Sequence, residues 1–261
     1  MIKVRGLRKL KLSHRISLLF FFCGILPLAA LLGLFFYYLE NDLKNESLHD
    51  LDSQAKSIRG MIFERLQMTE NEIRAFPSRR PEPDRDKSAS LPSPAGPIEL
   101  KCLENLFRVG PNGAVPLLGK GGTSCEVSFD DLRSVESEKP VILKRARPGG
   151  YPHLWMAVRT SPAEWRIGRI HPGYLWKEGS NFNLPYNTEL CVLDEENVPL
   201  VSSRSESKPV IAALAQLKGN GSEFSWGDGK QDYLASVNSL FLGGGFLADS
   251  WKIILSRPTP P

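Results

Sequence analysis

Cysteine and histidine are scarce in this sequence, which has four of each among 261 residues. The cysteines are too widely spaced to form the close pairs of a zinc site. The HExxH, CxxC and GxSxG motifs of metalloproteases, redox proteins and hydrolases are also missing. We therefore expect no catalytic residues, no metal and no cofactor, and an exported enzyme is the weakest of the functions considered.

A broad excess of positive charge is missing as well. The formal net charge is +4, but basic residues are concentrated in the first fifteen positions and the rest of the chain is nearly balanced. This distribution gives no indication of nucleic-acid binding. A short basic segment beside an apolar stretch instead sets membrane topology.

An uncharged stretch extends from Ile16 to Leu39, and its length of about 24 residues is enough to cross a bilayer as a helix. The basic positions 1–15 predict a cytoplasmic N-terminus, with the chain anchored in the inner (cytoplasmic) membrane and its bulk in the periplasm. A cleaved signal peptide is the alternative. Its apolar region is normally about 7–15 residues long and ends in small residues, whereas this one is longer and ends in bulky Phe35–Leu39.

Positions 40–76 have a helical pattern. Apolar residues and one threonine recur at steps of three and four, which places them on one face: Leu48, Leu51, Ala55, Ile58, Ile62, Leu66, Thr69, Ile73 and Phe76. We expect a long helix that packs on its own domain, with part of this stripe pairing with a second copy in a homodimer. Prolines, charges and small residues at positions 77–97 predict a flexible loop.

Short strands follow from position 98. Positions 98–180 read as a hairpin, a short helix and three strands, and positions 181–257 repeat that order. The predicted strands are Leu100–Val109, Ala114–Leu118, Val141–Ala146, Leu154–Thr160, Trp165–Ile170, Glu189–Leu193, Pro199–Ser202, Phe224–Trp226, Gln231–Ser239 and Trp251–Ser256. The fold class is therefore α+β, with two modules that each contain an antiparallel sheet of about five strands.

Five segments carry a resemblance to a known family. They are Trp165–Trp176 (WRIGRIHPGYLW), Thr188–Asp194 (TELCVLD), Tyr233–Ser236 (YLAS), Ser239–Leu242 (SLFL) and Trp251–Pro258 (WKIILSRP). Together with the apolar span and the long helix, they resemble the double Cache (PAS-like) sensor domains of bacterial transmembrane receptors. The resemblance is good from Trp165 onward and is architectural only between positions 77 and 147.

The resemblance implies a membrane-distal PAS-like module at positions 98–180 and a membrane-proximal one at 181–257. It also implies a small-molecule ligand, no enzymatic activity in this chain, and a signal passed to a cytoplasmic diguanylate cyclase, phosphodiesterase, histidine kinase or chemotaxis output. In this family a second span would follow positions 258–261, so we expect the sensory part of a longer receptor, with a truncated gene as the alternative. A ligand-free dimerisation or protein-interaction module is the competing function.

The candidate ligand-binding residues are Arg145, Tyr151, Trp155 and Arg159. Tyr151, Trp155 and Arg159 share parity in a regular strand, and an arginine over an aromatic ring suits a carboxylate. Surface arginines beside a core tryptophan are the competing interpretation. The arginine and tryptophan pattern of amino-acid-binding members is not matched, which makes an amino-acid ligand doubtful.

Two further side-chain roles follow from the predicted turns and strand ends. Cys102 and Cys125 would flank the first hairpin, in a compartment that permits a disulfide between them. His153 and His171 lie at predicted strand edges near prolines, where an exposed or capping histidine is the ordinary interpretation.

Overall fold

The structure is a computed structural model that describes residues 16–17, 20–76, 100–119, 124–176, 184–185, 187–204, 207–217 and 222–259. The chain divides into two compact units, residues 1–50 and 51–261. The predicted cytoplasmic segment at positions 1–15 and the predicted loop at positions 77–97 lie outside the described residues.

The first unit contains the apolar part of a long helix. A π-helical turn at Phe21–Ile25 precedes helix α1, which extends from Leu26 to Ala75. Pro27 has no N–H, and its ring would clash with the carbonyl of Cys23 in a regular α-helix. The wider π-helical turn lies at this point, as is common where a helix must accommodate such a residue. Among the described helices, this one is long and apolar enough to cross a membrane.

The second unit begins with the remainder of α1. Its predicted stripe is buried, since every member between Leu51 and Ile73 is at most 2% exposed. These residues lie on one face because steps of three and four return a side chain to the same side of a helix. The chain's own sheets cover this part of the stripe, which is therefore unavailable to a second copy.

The first sheet, called the distal sheet after the module predicted at positions 98–180, contains five antiparallel strands in the order β2-β1-β5-β4-β3. The strands are β1 (Leu103–Gly110), β2 (Gly113–Gly119), β3 (Val141–Arg145), β4 (His153–Ser161) and β5 (Glu164–Ile170). Two single-turn helices accompany them, α2 (Asp130–Arg133) and α3 (Pro172–Leu175).

The second sheet, called the proximal sheet after the module predicted at positions 181–257, repeats this topology in the order β7-β6-β10-β9-β8. Its strands are β6 (Glu189–Leu193), β7 (Pro199–Ser202), β8 (Glu223–Gly227), β9 (Asp232–Leu240) and β10 (Trp251–Pro258), and helix α4 (Lys208–Gln216) follows β7. A long helix followed by two five-stranded antiparallel sheets confirms the predicted fold class.

One core cluster joins α1 to the inner faces of both sheets. It contains Ile62 and Leu66 of the helix, Met156 of the distal sheet and Ile253 of the proximal sheet. Each sheet also has a separate cluster on its outer face. Alternation along β4 separates the two faces, since Met156 belongs to the inner cluster and Trp155 to the outer one.

The C-terminal end of α1 is fastened to the distal sheet by a buried arginine. Arg166 of β5 is 5% exposed, and its Nη1 donates to the carbonyl oxygens of Ile73 at 3.1 Å, Arg74 at 3.2 Å and Phe76 at 2.6 Å. The last carbonyls of a helix have no partner within the helix and carry its negative dipole end. The Arg166 guanidinium donates to these carbonyls, and its positive charge lies at the negative end of the dipole.

Candidate functional site

The four ligand-binding residues predicted from the sequence are not brought together. The Tyr151 hydroxyl donates to the carbonyl oxygen of Ser202 in the proximal module at 3.2 Å. Arg159 lies at the other end of β4, where it donates to the carbonyl oxygens of Ser161 and Pro162. Eight residues of extended chain separate the two side chains by roughly 25 Å.

Trp155 lies between them in a filled core. It is fully buried, and its ring centroid is 6.1 Å from that of Phe107 in the outer cluster of the distal sheet. Trp165 and Ile167 belong to the same cluster. The outer face of this sheet is therefore packed with apolar side chains at the place where the predicted residues would have met a ligand.

Arg145 is engaged within the protein. Its Nη2 lies 2.5 Å from Oδ2 of Asp131, and its Nε donates to the carbonyl oxygen of Glu126 at 3.2 Å. These contacts hold the segment around α2 against the end of the distal sheet.

The disulfide considered from the sequence is not formed, because Cys102 and Cys125 are both free thiols. Cys102 belongs to the inner core cluster, and burial raises the pKa of its thiol. Cys125 packs on the outer cluster, and its Sγ donates to the carbonyl oxygen of Val127 at 3.2 Å. The two side chains thus serve separate cores.

An open cleft of about 630 Å³ lies at the end of strands β1, β2 and β5. Its lining combines three leucines and a glycine with one carboxylate, one amide, one guanidinium and one imidazole. The residues are Leu100, Leu103, Leu118, Gly119, Glu104, Asn105, Arg169 and His171. Polar groups that converge beside apolar side chains are one feature of small-molecule sites.

A β-bulge creates the charged part of this cleft. The register between β1 and β5 shifts between Leu103 and Asn105, so Glu104 is the extra residue. Bulges commonly re-aim one side chain. The Glu104 carboxylate thereby meets the Arg169 guanidinium, which contacts it through both Nε and Nη2.

One lining position of the cleft requires a glycine. Gly119 has φ +138°, a conformation that other residues rarely adopt, and a Cβ there would overlap the side chain of Asn105. His171, another lining residue, is the N-cap of α3, and its Nδ1 accepts a hydrogen bond from the Tyr174 amide at 3.2 Å. This is the capping role expected for that histidine.

Arg169 and Glu104 give the cleft its chemistry. The guanidinium can hold a carboxylate bidentately, the Glu104 carboxylate can accept hydrogen bonds from an ammonium group, and the leucines can cover an apolar side chain. In the part of the chain that the structure describes, no group of three or more His, Cys, Asp or Glu side chains could hold a metal ion.

Sequence reasoning missed Glu104, Asn105, Arg169 and His171 as site residues. Glu104 falls inside a predicted strand, where a one-residue bulge leaves no compositional signal. Arg169 and His171 stand in the segment that carried the family resemblance, but their meeting with β1 depends on strands distant in sequence. Only the sheet order brings the four together.

Comparison with solved structures supports the fold. The ligand-binding domain of Campylobacter jejuni chemoreceptor Tlp3, in complex with L-valine, is 11% identical, with a TM-score of 0.54 over 85% of this chain and 96% of that one. The domain of Pseudomonas fluorescens chemoreceptor CtaA, in complex with L-isoleucine, is 13% identical, with a TM-score of 0.54 over 85% and 94%. That of Pseudomonas aeruginosa PctC, with GABA, is 10% identical, with a TM-score of 0.51 over 82% and 99%.

No protein-family model matches the chain, and no curated protein matches it significantly. The solved structures define a fold class, that of bacterial chemoreceptor ligand-binding domains. The chain has the double Cache fold, which confirms the resemblance seen in its sequence.

Proposed function

We propose that this chain is the membrane-anchored extracytoplasmic sensor domain of a bacterial receptor, and that it binds a small ligand in the cleft at the end of the distal sheet. The observation that carries the proposal is the pairing of Arg169 with Glu104 in an open cleft of a double Cache fold. Ligand occupancy would pass a conformational change through α1 to a cytoplasmic output domain outside this sequence.

The ligand class follows from the paired charges. L-valine, L-isoleucine and GABA, which are bound in the compared structures, each carry an ammonium group and a carboxylate. Such a zwitterion can separate the Arg169–Glu104 pair and give each charge a new partner, which limits the cost of desolvating them. Although the arginine and tryptophan pattern of amino-acid-binding members is not matched, we therefore propose an amino acid or a similar small zwitterion, with the leucines covering its apolar part.

The apolar helix and the basic positions 1–15 support an inner-membrane location with the N-terminus in the cytoplasm. A homodimer remains part of the proposal. Its contact would lie outside the stripe from Leu51 to Ile73, since that stripe is buried within the chain.

The filled outer face of the distal sheet favours a second candidate function. Trp155 and Trp165 occupy the space beside the four residues predicted to bind a ligand. A module without a ligand, which dimerises or contacts another protein, would need no space there. Direct binding measurements separate the two candidates.

The test is thermal unfolding of the full chain in detergent micelles, followed by intrinsic tryptophan fluorescence. L-valine, L-isoleucine and GABA are added separately at millimolar concentration. A ligand at 100 times its Kd stabilises the native state by about 2.7 kcal/mol, which raises the melting temperature by several degrees. No shift with any of the three would contradict an amino-acid-type ligand.

Two arginine variants serve as matched controls. Arg169→Met should abolish the shift, because it removes the proposed carboxylate partner. Arg108→Met should retain it, since Arg108 is exposed on the neighbouring strand outside the cleft. Arg159→Met tests the earlier candidate, and loss of the shift in that variant alone would place the ligand at the other end of β4.

A further inference from the structure

The wall of the cleft is held directly by helix α1. Glu72 uses both carboxylate oxygens to accept hydrogen bonds from two consecutive backbone amides, Lys101 N–H at 2.8 Å and Cys102 N–H at 2.9 Å. The residues on either side of this pair, Leu100 and Leu103, line the cleft. A single helical side chain thus fixes the segment that leads into the bulge at Glu104.

The other wall of the cleft meets the same point. The amide of His171 donates to the Cys102 carbonyl oxygen at 2.9 Å, and His171 lines the cleft two residues after Arg169. Cys102 therefore joins the β1 wall, the end of β5 and, through Glu72, the helix. If Glu104 or Arg169 moves, a short series of covalent and hydrogen bonds connects that movement to α1.

The position of Glu72 argues against a role in stabilising the helix itself. It lies in the last turn of α1, which ends at Ala75. The negative end of the helix dipole is there, so a carboxylate is unfavourable at this place. Its two amide partners across the interface offset that cost, which indicates that the side chain serves the contact with the cleft wall.

We propose that Glu72 is the positioning residue through which the state of the cleft reaches helix α1. The inference rests on the proposed function, since it takes the cleft as the sensing site. Glu72 is not among the residues that line the cleft. Its double hydrogen bond makes the last turn of α1 respond when the Arg169–Glu104 pair is rearranged.

Hydrogen exchange can test this without a ligand. The Arg169→Met substitution itself changes the cleft, so no ligand is needed. Four versions of the 261-residue chain are compared in detergent micelles: wild type, Arg169→Met, Glu72→Gln and the double variant. Arg169→Met should speed exchange of the amides of Leu66–Ala75 by about tenfold when Glu72 is present, and by less than about twofold with Glu72→Gln. Amides of β10 in the same samples report any global loss of structure.

Glu70→Gln is the matched control, because Glu70 lies on the same helix and pairs with Arg74 at 2.7 Å rather than with the cleft wall. Arg169→Met should keep its effect in that background. An equal effect with Glu72→Gln, or no effect of Arg169→Met on the helix in wild-type background, would overturn the inference. Ligand binding is measured separately. If the protein binds a ligand but shows no such coupling, the proposed sensor function stands and the proposed role of Glu72 is wrong.

Discussion

Lys144 Nζ in the distal sheet lies 2.6 Å from Oδ2 of Asp194 in the proximal module. Asp194 is 1% exposed, and its other carboxylate oxygen accepts the Val198 amide at 2.7 Å. The backbone continues this junction, since the Ile142 amide donates to the Leu247 carbonyl oxygen at 3.2 Å. A buried carboxylate of one module is thus neutralised by a cation of the other.

Replacing Lys144 by methionine should destabilise the protein by about 2–4 kcal/mol, because Asp194 would remain buried without its counter-charge. Urea unfolding of the full chain in detergent micelles measures the change. Asp194→Asn should cost less, since the amide oxygen can still accept from Val198 and the partly exposed Lys144 can reach water. The double variant should be more stable than Lys144→Met alone, and strictly additive losses would show that the two groups are uncoupled.

The two carboxylates around Arg204 should respond oppositely to pH. Glu189 lies 3.3 Å from Arg204 Nη1, but burial outweighs this attraction and raises the pKa of its carboxyl. A carboxyl whose pKa is raised on folding contributes most to stability at pH values below its unfolded-state pKa of about 4. That contribution is lost as the pH rises through the folded-state pKa. Glu189→Gln should therefore match or exceed the wild-type melting temperature at pH 7, and lose this advantage near pH 4.

Asp228 contacts the same guanidinium with the reverse result. Hydrogen bonds from the amides of Lys230 and Gln231, together with Arg204, lower the pKa of its carboxyl. Its contribution is present above the unfolded pKa and is lost as pH falls through the folded one. Asp228→Asn should lower the melting temperature at pH 7 and approach wild type near pH 3. The melting temperatures of both variants are measured between pH 3 and 8. If their differences from wild type change with pH in the same direction, the assignment of opposite pKa shifts is wrong.

Removal of the buried arginine at the end of α1 should be costly. Arg166→Met leaves the carbonyl oxygens of Ile73, Arg74 and Phe76 without this donor, with an expected loss of about 2–4 kcal/mol. Arg166→Lys should retain part of the stability, because it keeps the charge at the helix end with a less suitable geometry. Urea unfolding gives the loss, and exchange of the α1 amides should localise it. A loss below about 0.5 kcal/mol for Arg166→Met would contradict the capping role.

Gly168 of β5 lies in a closely packed site beside Leu103 of β1 and Ile73 of α1. A Cβ at this position would lie 2.6 Å from Leu103 Cδ2 and 3.3 Å from Ile73 Cδ1. Gly168→Ala should cost about 1–3 kcal/mol by overpacking. Shortening Leu103 to alanine should remove most of the added penalty, so the double variant should lose less than the sum of the single variants. Additive losses in the unfolding measurement would exclude this contact as the cause.

Much of the fold was predictable because its signals are local. The bounds predicted for Glu189–Leu193 and Pro199–Ser202 agree with the observed strands, since alternation and turn residues mark both ends. The helical stripe from Leu51 to Ile73 was equally clear, because steps of three and four keep a helical face continuous. Repetition of the same element order then predicted two sheets.

The site was not predictable by the same means. Strand parity correctly indicates that Trp155 and Arg159 can share a face, but it does not show whether that face is filled. Phe107 and Trp165 fill it, and both come from other strands. The charged part of the cleft depends on a bulge at Glu104 and on the pairing of β5 with β1. Neither feature produces a periodic pattern in the amino-acid sequence.

The shared core beneath α1 limits how such a receptor can be recombined. Ile62 and Leu66 belong to a cluster that includes Met156 from one sheet and Ile253 from the other. A chimera that imported a foreign distal sheet alone would set it against a helical surface shaped partly by the original proximal sheet. Chimeric receptors should therefore fold when α1 and both sheets are transferred together, and misfold when the junction lies between the two modules.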